Sequence, residues 1–103
     1  MIDNFLITIR DRASKNILFL PHALDRMLQP DRRIEMDEVK KVIFEGEIIE
    51  DYPEDTRGHS CLMFKILNRP IHVVCAPKDE YLAIITVYLP INDKWENDFK
   101  TRK

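Results

Sequence analysis

The chain has few glycines, few cysteines and no long apolar run. Its 103 residues include only Gly46 and Gly58, too few to form the glycine-rich phosphate loops of nucleotide-binding enzymes. Cys61 and Cys75 lack the CxxC spacing of zinc fingers, so we expect buried, reduced thiols, with a disulfide as the alternative. The longest apolar run, 82–89, is too short to cross a bilayer. These absences exclude nucleotide-fold enzymes, zinc fingers and a membrane-spanning helix.

Secretion and metal-binding signals are also missing. The N-terminus has no basic region followed by an apolar stretch and a small-residue cleavage site, which predicts a cytoplasmic protein. There is no HExxH motif, and His59 has no partner at metal-ligand spacing, so we expect no metal and no cofactor. With 45% hydrophobic and 33% charged residues and no linker, residues 1–103 are predicted to form a single globular domain.

Charge is distributed unevenly, although the formal net charge is only −2. Residues 35–55 contain nine acidic residues against Lys40 and Lys41, a local balance of −7, and the rest of the chain carries +5. A basic remainder can present a positive face to a phosphodiester. The alternative is that residues 35–55 are the solvated side of a helix and of the strand that follows it.

Hydrophobic periodicity predicts helices in the first half of the chain. Asp3 is the expected N-cap of a first helix that runs to residue 13, and Pro21 suits the first turn of a second over 22–28. Asp37 is the expected N-cap of another helix, which stops at Gly46. Residues 17–20 read as a short strand or an extended segment.

Strand-like segments fill most of the second half. They lie at 47–52, 61–67, 71–76 and 82–89. Helices followed by consecutive strands predict an α+β domain with helices packed on a four-stranded antiparallel sheet. In the polar tail, Trp95 and Phe99 are four residues apart, which predicts a short C-terminal helix.

Two histidine–arginine pairs are the most informative feature. His22 and Arg26 are four residues apart on a predicted helix and therefore share a face. Histidine suits proton transfer near neutral pH, and arginine binds phosphate through a two-pronged fork. The alternative is a solvated helix face whose arginine pairs with Asp25 or another carboxylate.

The second pair lies at the mouth of a predicted strand. Arg69 precedes Pro70 and His72 follows it, whereas Thr86 and Tyr88 alternate along one face of a later strand, opposite Ile85, Val87 and Leu89. We predict His22, Arg26, His72 and Tyr88 as catalytic residues, and Arg69 and Thr86 as substrate-binding residues. A strand histidine and a strand tyrosine are also common as core residues, so packing is the alternative for both.

Taken together, the motifs resemble a domain-of-unknown-function family, DUF4258, from about residue 17 to the end of the chain. They are His22-Ala23-Leu24-Asp25-Arg26-Met27, Glu38-Val39, Gly46, Ile48-Ile49-Glu50-Asp51-Tyr52, Arg69-Pro70-Ile71-His72-Val73-Val74, Ile85-Thr86-Val87-Tyr88 and the tail with Trp95. That family is similar to RelE-type, barnase-like ribonuclease toxins of prokaryotes. The resemblance implies a RelE-like fold, an RNA substrate and a small antitoxin partner.

The leading functional hypothesis is a metal-independent endoribonuclease of the toxin type that cleaves RNA by acid–base chemistry. One histidine would remove the proton of the attacking 2′-hydroxyl, and Arg26 or Arg69 would stabilise the charge that develops on the phosphate. The alternative is a catalytically inactive homologue that acts as a small protein-interaction module. RNA cleavage by the purified chain, with and without a chelator, distinguishes the two hypotheses.

Overall fold

The computed structural model describes residues 4–103, which form three helices and a five-stranded sheet. The elements are α1 (Asn4–Lys15), β1 (Ile17–Phe19), α2 (Pro21–Met27), α3 (Met36–Glu45), β2 (Glu47–Tyr52), β3 (Ser60–Ile66), β4 (Pro70–Pro77) and β5 (Leu82–Tyr88). The predicted α+β class is confirmed. The expected N-cap of the first helix, Asp3, lies outside the described residues. No helix within 4–103 is long and apolar enough to cross a membrane.

The sheet has one strand more than predicted. Its order is β1-β5-β4-β3-β2, and β2 to β5 pair antiparallel, whereas β1 pairs parallel to β5. Backbone hydrogen bonds continue the pairing at both ends of β1: the Leu20 amide donates to the Ile84 carbonyl at 3.1 Å, and the Leu82 amide donates to the Asn16 carbonyl at 2.9 Å. The prediction of a purely antiparallel four-stranded sheet was therefore wrong, because this short segment adds to the edge at β5.

Helix α3 begins earlier than predicted. Its N-cap is Glu35, whose side chain accepts a hydrogen bond from the backbone of Glu38, while the Glu38 carboxylate accepts one from the Glu35 amide at 2.9 Å. This reciprocal capping box places Asp37 inside the first turn, so the prediction of Asp37 as the cap was wrong. The predicted stop at Gly46 is confirmed. A Cβ atom there would lie 2.5 Å from the carbonyl oxygens of Phe64 and Val42, so no larger residue fits.

Each face of the sheet carries its own apolar cluster. On the helix face, α1 and α3 bury residues such as Ile9, Val42 and Ile43 against the sheet. On the opposite face, which we call the tail face, Leu62 and Val74 pack with residues of the C-terminal segment. Both faces of the sheet are covered, which explains why β3 and β4 are nearly continuous apolar runs.

A β-bulge interrupts the alternation of side chains along β5. The pairing of β5 with β4 skips Ile85, which packs in the tail-face cluster. Thr86 and Tyr88 lie directly opposite Val74 and His72, so both share the tail face, as predicted. The prediction that Ile85 faces the other side was wrong because the extra residue shifts the alternation.

The two cysteines are cross-strand neighbours on β3 and β4. Cys61 pairs with Cys75, both side chains are buried, and their Sγ atoms lie 3.9 Å apart. Both thiols are free, as expected from the sequence. The hydrogen bond with the neighbouring Cys61 thiol and burial raise the pKa of Cys75 well above its usual value, so this thiol is a poor nucleophile.

The C-terminal segment 90–103, here called the tail, contains no helix. Trp95 forms an isolated β-bridge with Arg102, and its side chain is 2% exposed. Phe99 has a positive φ of 58°, which no helix accepts. The prediction of a tail helix was therefore wrong. Trp95 and Phe99 nevertheless both pack against the tail face of the sheet.

Ion pairs attach the tail to the edge strand β2. Lys100 Nζ lies 3.1 Å from Glu47, and the Arg102 guanidinium donates to both oxygens of Glu50 at 2.7 and 3.1 Å. Part of the acidic segment 35–55 is therefore paired with the basic tail. Glu47 remains exposed and Glu50 is half-buried, so the alternative of a solvated acidic face stays a prediction.

Candidate functional site

A cationic cavity opens where α2, the end of β5 and the tail meet. Its volume is about 400 Å³. The residues that line it are Arg26, Arg32, Tyr88, Leu89, Pro90, Ile91, Lys94, Trp95 and Arg102. Four of these side chains carry a positive charge and none carries a negative charge. The cavity therefore has the composition of a site for a phosphate or another anion.

Arg26 is placed in the cavity by the short helix α2. Pro21 occupies the first turn of this helix, and Ala23 and Met27 bury its opposite side against the helix-face core. The Arg26 side chain is directed into the cavity, where its Nε atom is buried and has no hydrogen-bond partner among residues 4–103. A buried donor without an acceptor costs about 1–3 kcal/mol, so Nε would gain a hydrogen bond if the side chain shifted toward an anionic ligand in the cavity.

The other three cations differ in how far they are neutralised. Arg32 pairs with the exposed Asp31 at 3.4 Å, and Arg102 pairs with Glu50 while its guanidinium lies 4.6 Å from the Trp95 ring centroid. Lys94 has no carboxylate within ion-pair distance in the described part of the chain. Arg26 and Lys94 are therefore the two cations of the cavity without an ion pair among residues 4–103, although Arg26 also acts electrostatically on Asp31.

His72 and Tyr88 form a hydrogen-bonded pair at the floor of the cavity. His72 is fully buried on the tail face, and Tyr88 is half-buried and reaches the cavity. The His72 Nε2 atom lies 2.7 Å from the Phe99 carbonyl oxygen, and Nδ1 lies 3.1 Å from the Tyr88 hydroxyl. A carbonyl only accepts, so Nε2 carries the proton. In the neutral ring, Nδ1 then accepts the hydrogen bond that Tyr88 donates.

Burial determines the protonation states of this pair. It lowers the pKa of His72, against the smaller opposing effects of the Phe99 carbonyl and of Glu50. It also raises the pKa of Tyr88 above its usual value. At neutral pH the imidazole is therefore uncharged and able to accept a proton, and the phenol is protonated.

Aromatic rings fix the orientation of the His72 imidazole. The ring of Trp95 stands perpendicular to it with centroids 4.5 Å apart, and Phe64 and Tyr88 make edge contacts at 5.6 and 5.1 Å. Contacts on several sides leave the imidazole little rotational freedom. His72 consequently contacts the cavity through Tyr88 and does not line it.

The structure brings together only part of the predicted site. Arg26 and Tyr88 line one cavity, and His72 supports Tyr88 from below. His22 is exposed on α2, one turn before Arg26, and does not line the cavity. Thr86 faces the same side of the sheet as Tyr88 but lies outside the lining.

Arg69 is bound to the segment that connects α2 and α3. Its Nη1 atom donates to the Arg32 carbonyl at 2.7 Å, and Nη2 donates to the Arg33 carbonyl at 2.8 Å and to Glu38 at 3.1 Å. Three acceptors thus occupy the guanidinium. The geometry assigns Arg69 to holding this connection, which in turn carries Arg32 at the rim of the cavity.

Arg69→Ala is expected to destabilise the domain by roughly 1–3 kcal/mol, because it leaves two backbone carbonyls and the Glu38 carboxylate without their donor. Arg69→Lys should recover only part of this loss, since an ammonium lacks the planar fork. Urea unfolding of the three proteins measures the difference. Wild-type stability of Arg69→Ala combined with lost ligand binding would instead identify Arg69 as a ligand-binding residue.

Sequence reasoning missed three of the four cations of the cavity: Arg32, Lys94 and Arg102. They come from a connecting segment and from the tail, where no periodic pattern indicates which way a side chain points. Within residues 4–103, no three His, Cys, Asp or Glu side chains converge as metal ligands would. The one sequence signal for the cluster of cations in the cavity was the excess of basic residues outside residues 35–55.

Comparison with known families adds a finding to this geometry. The family model of a domain of unknown function, DUF4258, matches residues 19–89, which is more than half of the chain. The chain belongs to the DUF4258 family. Neither the curated proteins nor the solved structures compared with it include a significant match. The DUF4258 match contains α2 and β5, whereas Lys94, Trp95 and Arg102 lie beyond it.

Proposed function

We propose that this DUF4258 protein is a metal-independent endoribonuclease, related in mechanism to RelE-type toxins, that holds the scissile phosphate in the cationic cavity. The observation that supports this proposal is that Arg26, whose Nε has no hydrogen-bond partner among residues 4–103, lines the same cavity as Tyr88, which is hydrogen-bonded to the buried His72. Arg26 and Lys94 supply positive charge where a phosphodiester gains negative charge on cleavage. Tyr88 supplies the hydroxyl through which a proton moves.

In this mechanism the RNA 2′-oxygen attacks the adjacent phosphorus. Tyr88 Oη takes the 2′-hydroxyl proton while it passes its own proton to Nδ1 of His72, which becomes an imidazolium. The Glu50 charge favours that protonated ring. The bond to the 5′-oxygen breaks, and the Lys94 ammonium donates a proton to the departing oxygen. The products are a 2′,3′-cyclic phosphate and a 5′-hydroxyl, and exchange with water restores both side chains.

This proposal is tested by identifying the cleavage products and by measuring whether cleavage requires a metal ion. The purified protein is expected to cleave 5′-labelled single-stranded RNA equally well with and without EDTA, and to leave 2′,3′-cyclic phosphate ends. The matched DNA oligonucleotide should remain intact, because it lacks the attacking 2′-hydroxyl. Denaturing gels and mass spectrometry of the fragments provide the readout. Cleavage of the DNA, or activity that EDTA removes, would contradict the mechanism.

A second candidate function is a protein-interaction module without catalysis. It is favoured by a largely apolar groove between α2 and α3, in which Leu28 and Met36 are 62% and 47% exposed. The residues that line it are Leu24, Met27, Leu28, Ile34, Glu35, Met36 and Asp37. A small antitoxin is the partner that the family resemblance implies, and it stays a prediction. Failure to cleave RNA, together with co-purification of such a partner, would favour this function.

A further inference from the structure

A backbone contact with Phe99 in the tail fixes the His72 ring. The acceptor for Nε2 is a backbone carbonyl of the tail, not a side chain, and it belongs to a residue with a φ of 58°. A non-glycine residue in the left-handed region is disfavoured, so neighbouring contacts must hold it there. The position of this carbonyl therefore depends on what stabilises the turn around residue 99.

Asp98 provides that stabilisation from the surface. Its Oδ1 atom accepts hydrogen bonds from the backbone amides of Lys100 at 2.9 Å and Thr101 at 3.1 Å, and its Oδ2 atom accepts one from the Thr101 hydroxyl at 3.1 Å. The Phe99 amide completes the turn by donating to the Glu96 carbonyl at 2.9 Å. A side chain that binds the amides two and three residues ahead forms a tight Asx-type turn around Phe99.

The carbonyl, and not the tyrosine, selects the tautomer of His72. A hydroxyl can either donate or accept, so Tyr88 is compatible with a proton on either ring nitrogen. The Phe99 carbonyl only accepts and therefore requires a proton on Nε2. Displacement of this carbonyl would remove the one contact that distinguishes the two tautomers.

We propose that Asp98 is a positioning residue: through its turn it holds the Phe99 carbonyl on Nε2 of His72 and so keeps Nδ1 as the acceptor for Tyr88. The consequence for catalysis rests on the proposed function, whereas the consequence for the tautomer does not. Asp98 does not line the cavity and, within residues 4–103, has no hydrogen bond or ion pair with His72; it also lies beyond the region that matches the family model.

The tautomer is measured directly by the 15N chemical shifts of the His72 ring, since a nitrogen with a proton and one without it resonate far apart. The wild-type protein is expected to show the proton on Nε2 and a bare Nδ1. Asp98→Ala and Asp98→Glu should both shift His72 to a mixture of tautomers, because neither side chain closes the turn. Asp98→Asn should retain the wild-type pattern, because its amide oxygen accepts the same backbone bonds.

The Asp98→Glu and Asp98→Asn variants distinguish the effect of the turn geometry from the effect of the negative charge. Asp98→Glu keeps the negative charge without the turn, and Asp98→Asn keeps the turn without the charge. In the RNA cleavage assay, the rates of Asp98→Ala and Asp98→Glu are expected to fall by about 10–100-fold, since a mixture of tautomers loses part of the acid–base contribution, and the rate of Asp98→Asn should stay near wild type. Asp93→Ala, another exposed aspartate of the tail, is the matched control and should leave both the tautomer and cleavage unchanged.

A wild-type ring that carries its proton on Nδ1 would overturn the inference, as would an unchanged tautomer in both Asp98→Ala and Asp98→Glu. If Asp98→Ala fails to fold, the wild-type spectrum and the difference between the Asp98→Asn and Asp98→Glu spectra still test whether Asp98 fixes the tautomer. Absence of RNA cleavage by the wild-type protein would refute the proposed function alone. The tautomer shift in the variants would then still establish the positioning role.

Discussion

Arg26→Ala is expected to reduce RNA cleavage by about 10²–10³-fold, because the guanidinium stabilises charge that develops on the phosphate only in the transition state. The fold should change little. Alanine is the better helix former, and the Nε atom loses no hydrogen bond because it has no partner among the described residues. We expect the free energy of unfolding to change by less than about 1 kcal/mol.

Parallel measurements of cleavage rate and urea unfolding check this result. The matched control is Arg33→Ala, which removes an exposed arginine from the segment that follows α2; among residues 4–103 its side chain pairs only with Glu35, at 3.5 Å. Its cleavage rate should equal that of the wild type. A stable Arg26→Ala protein with full activity would remove Arg26 from the site, and a strongly destabilised one would make it a structural residue.

Trp95→Ala is expected to destabilise the domain by about 3–5 kcal/mol, which is a large part of the stability of a typical small protein. The indole is 2% exposed and packs with Leu62, Val74 and the His72 ring on the tail face. Its removal also abolishes the contact with the Arg102 guanidinium. The substitution thus detaches the tail from the sheet and exposes the floor of the cavity.

Trp95→Phe is the control for this prediction, since it retains an aromatic ring of smaller volume and should lose less stability than Trp95→Ala. Chemical denaturation followed by circular dichroism measures all three proteins without using tryptophan fluorescence. A loss below about 1 kcal/mol for Trp95→Ala would show that the tail is an accessory segment. The expected loss would make the tail part of the hydrophobic core.

Local sequence signals predicted the ends of helices correctly where a residue type restricts the backbone conformation. Gly46 marks the end of α3, and Pro21 marks the start of α2, because each residue has a direct effect on the backbone around it. The strands from β2 to β5 followed from apolar runs. Residues 17–20 were predicted as a short strand or an extended segment, but three residues have too little pattern to reveal that β1 pairs parallel to β5.

The tail shows why spacing alone misled the prediction. Trp95 and Phe99 are four residues apart, as on one helix face, yet they reach the same surface through a turn. Asp98 binds the following amides, and Phe99 takes a left-handed conformation, so a helix cannot form there. The short-range hydrogen bonds of Asp98 thus stabilise a turn where the spacing of two aromatic residues had predicted a helix.

The candidate site was predicted in part for similar reasons. Arg26 and Tyr88 lie on elements that the sequence defines well, so their convergence needed only the correct packing of α2 beside β5. His22 shares a helix face with Arg26, but the cavity lies at the C-terminal end of α2, one turn away. Arg102 could not be placed from the sequence, because the Glu50 carboxylate that fixes it is distant in the chain.

The most direct test of the account is a titration of the 15N-labelled protein with a single-stranded RNA oligonucleotide whose 2′-hydroxyls are methylated. Such an RNA can bind but cannot be cleaved through its 2′-oxygen. The account predicts chemical-shift changes at the Arg26 Nε–H and in the backbone amides of Tyr88, Lys94 and Arg102, weakening as salt concentration rises. No binding, or changes confined to the apolar groove around Leu28 and Met36, would contradict it.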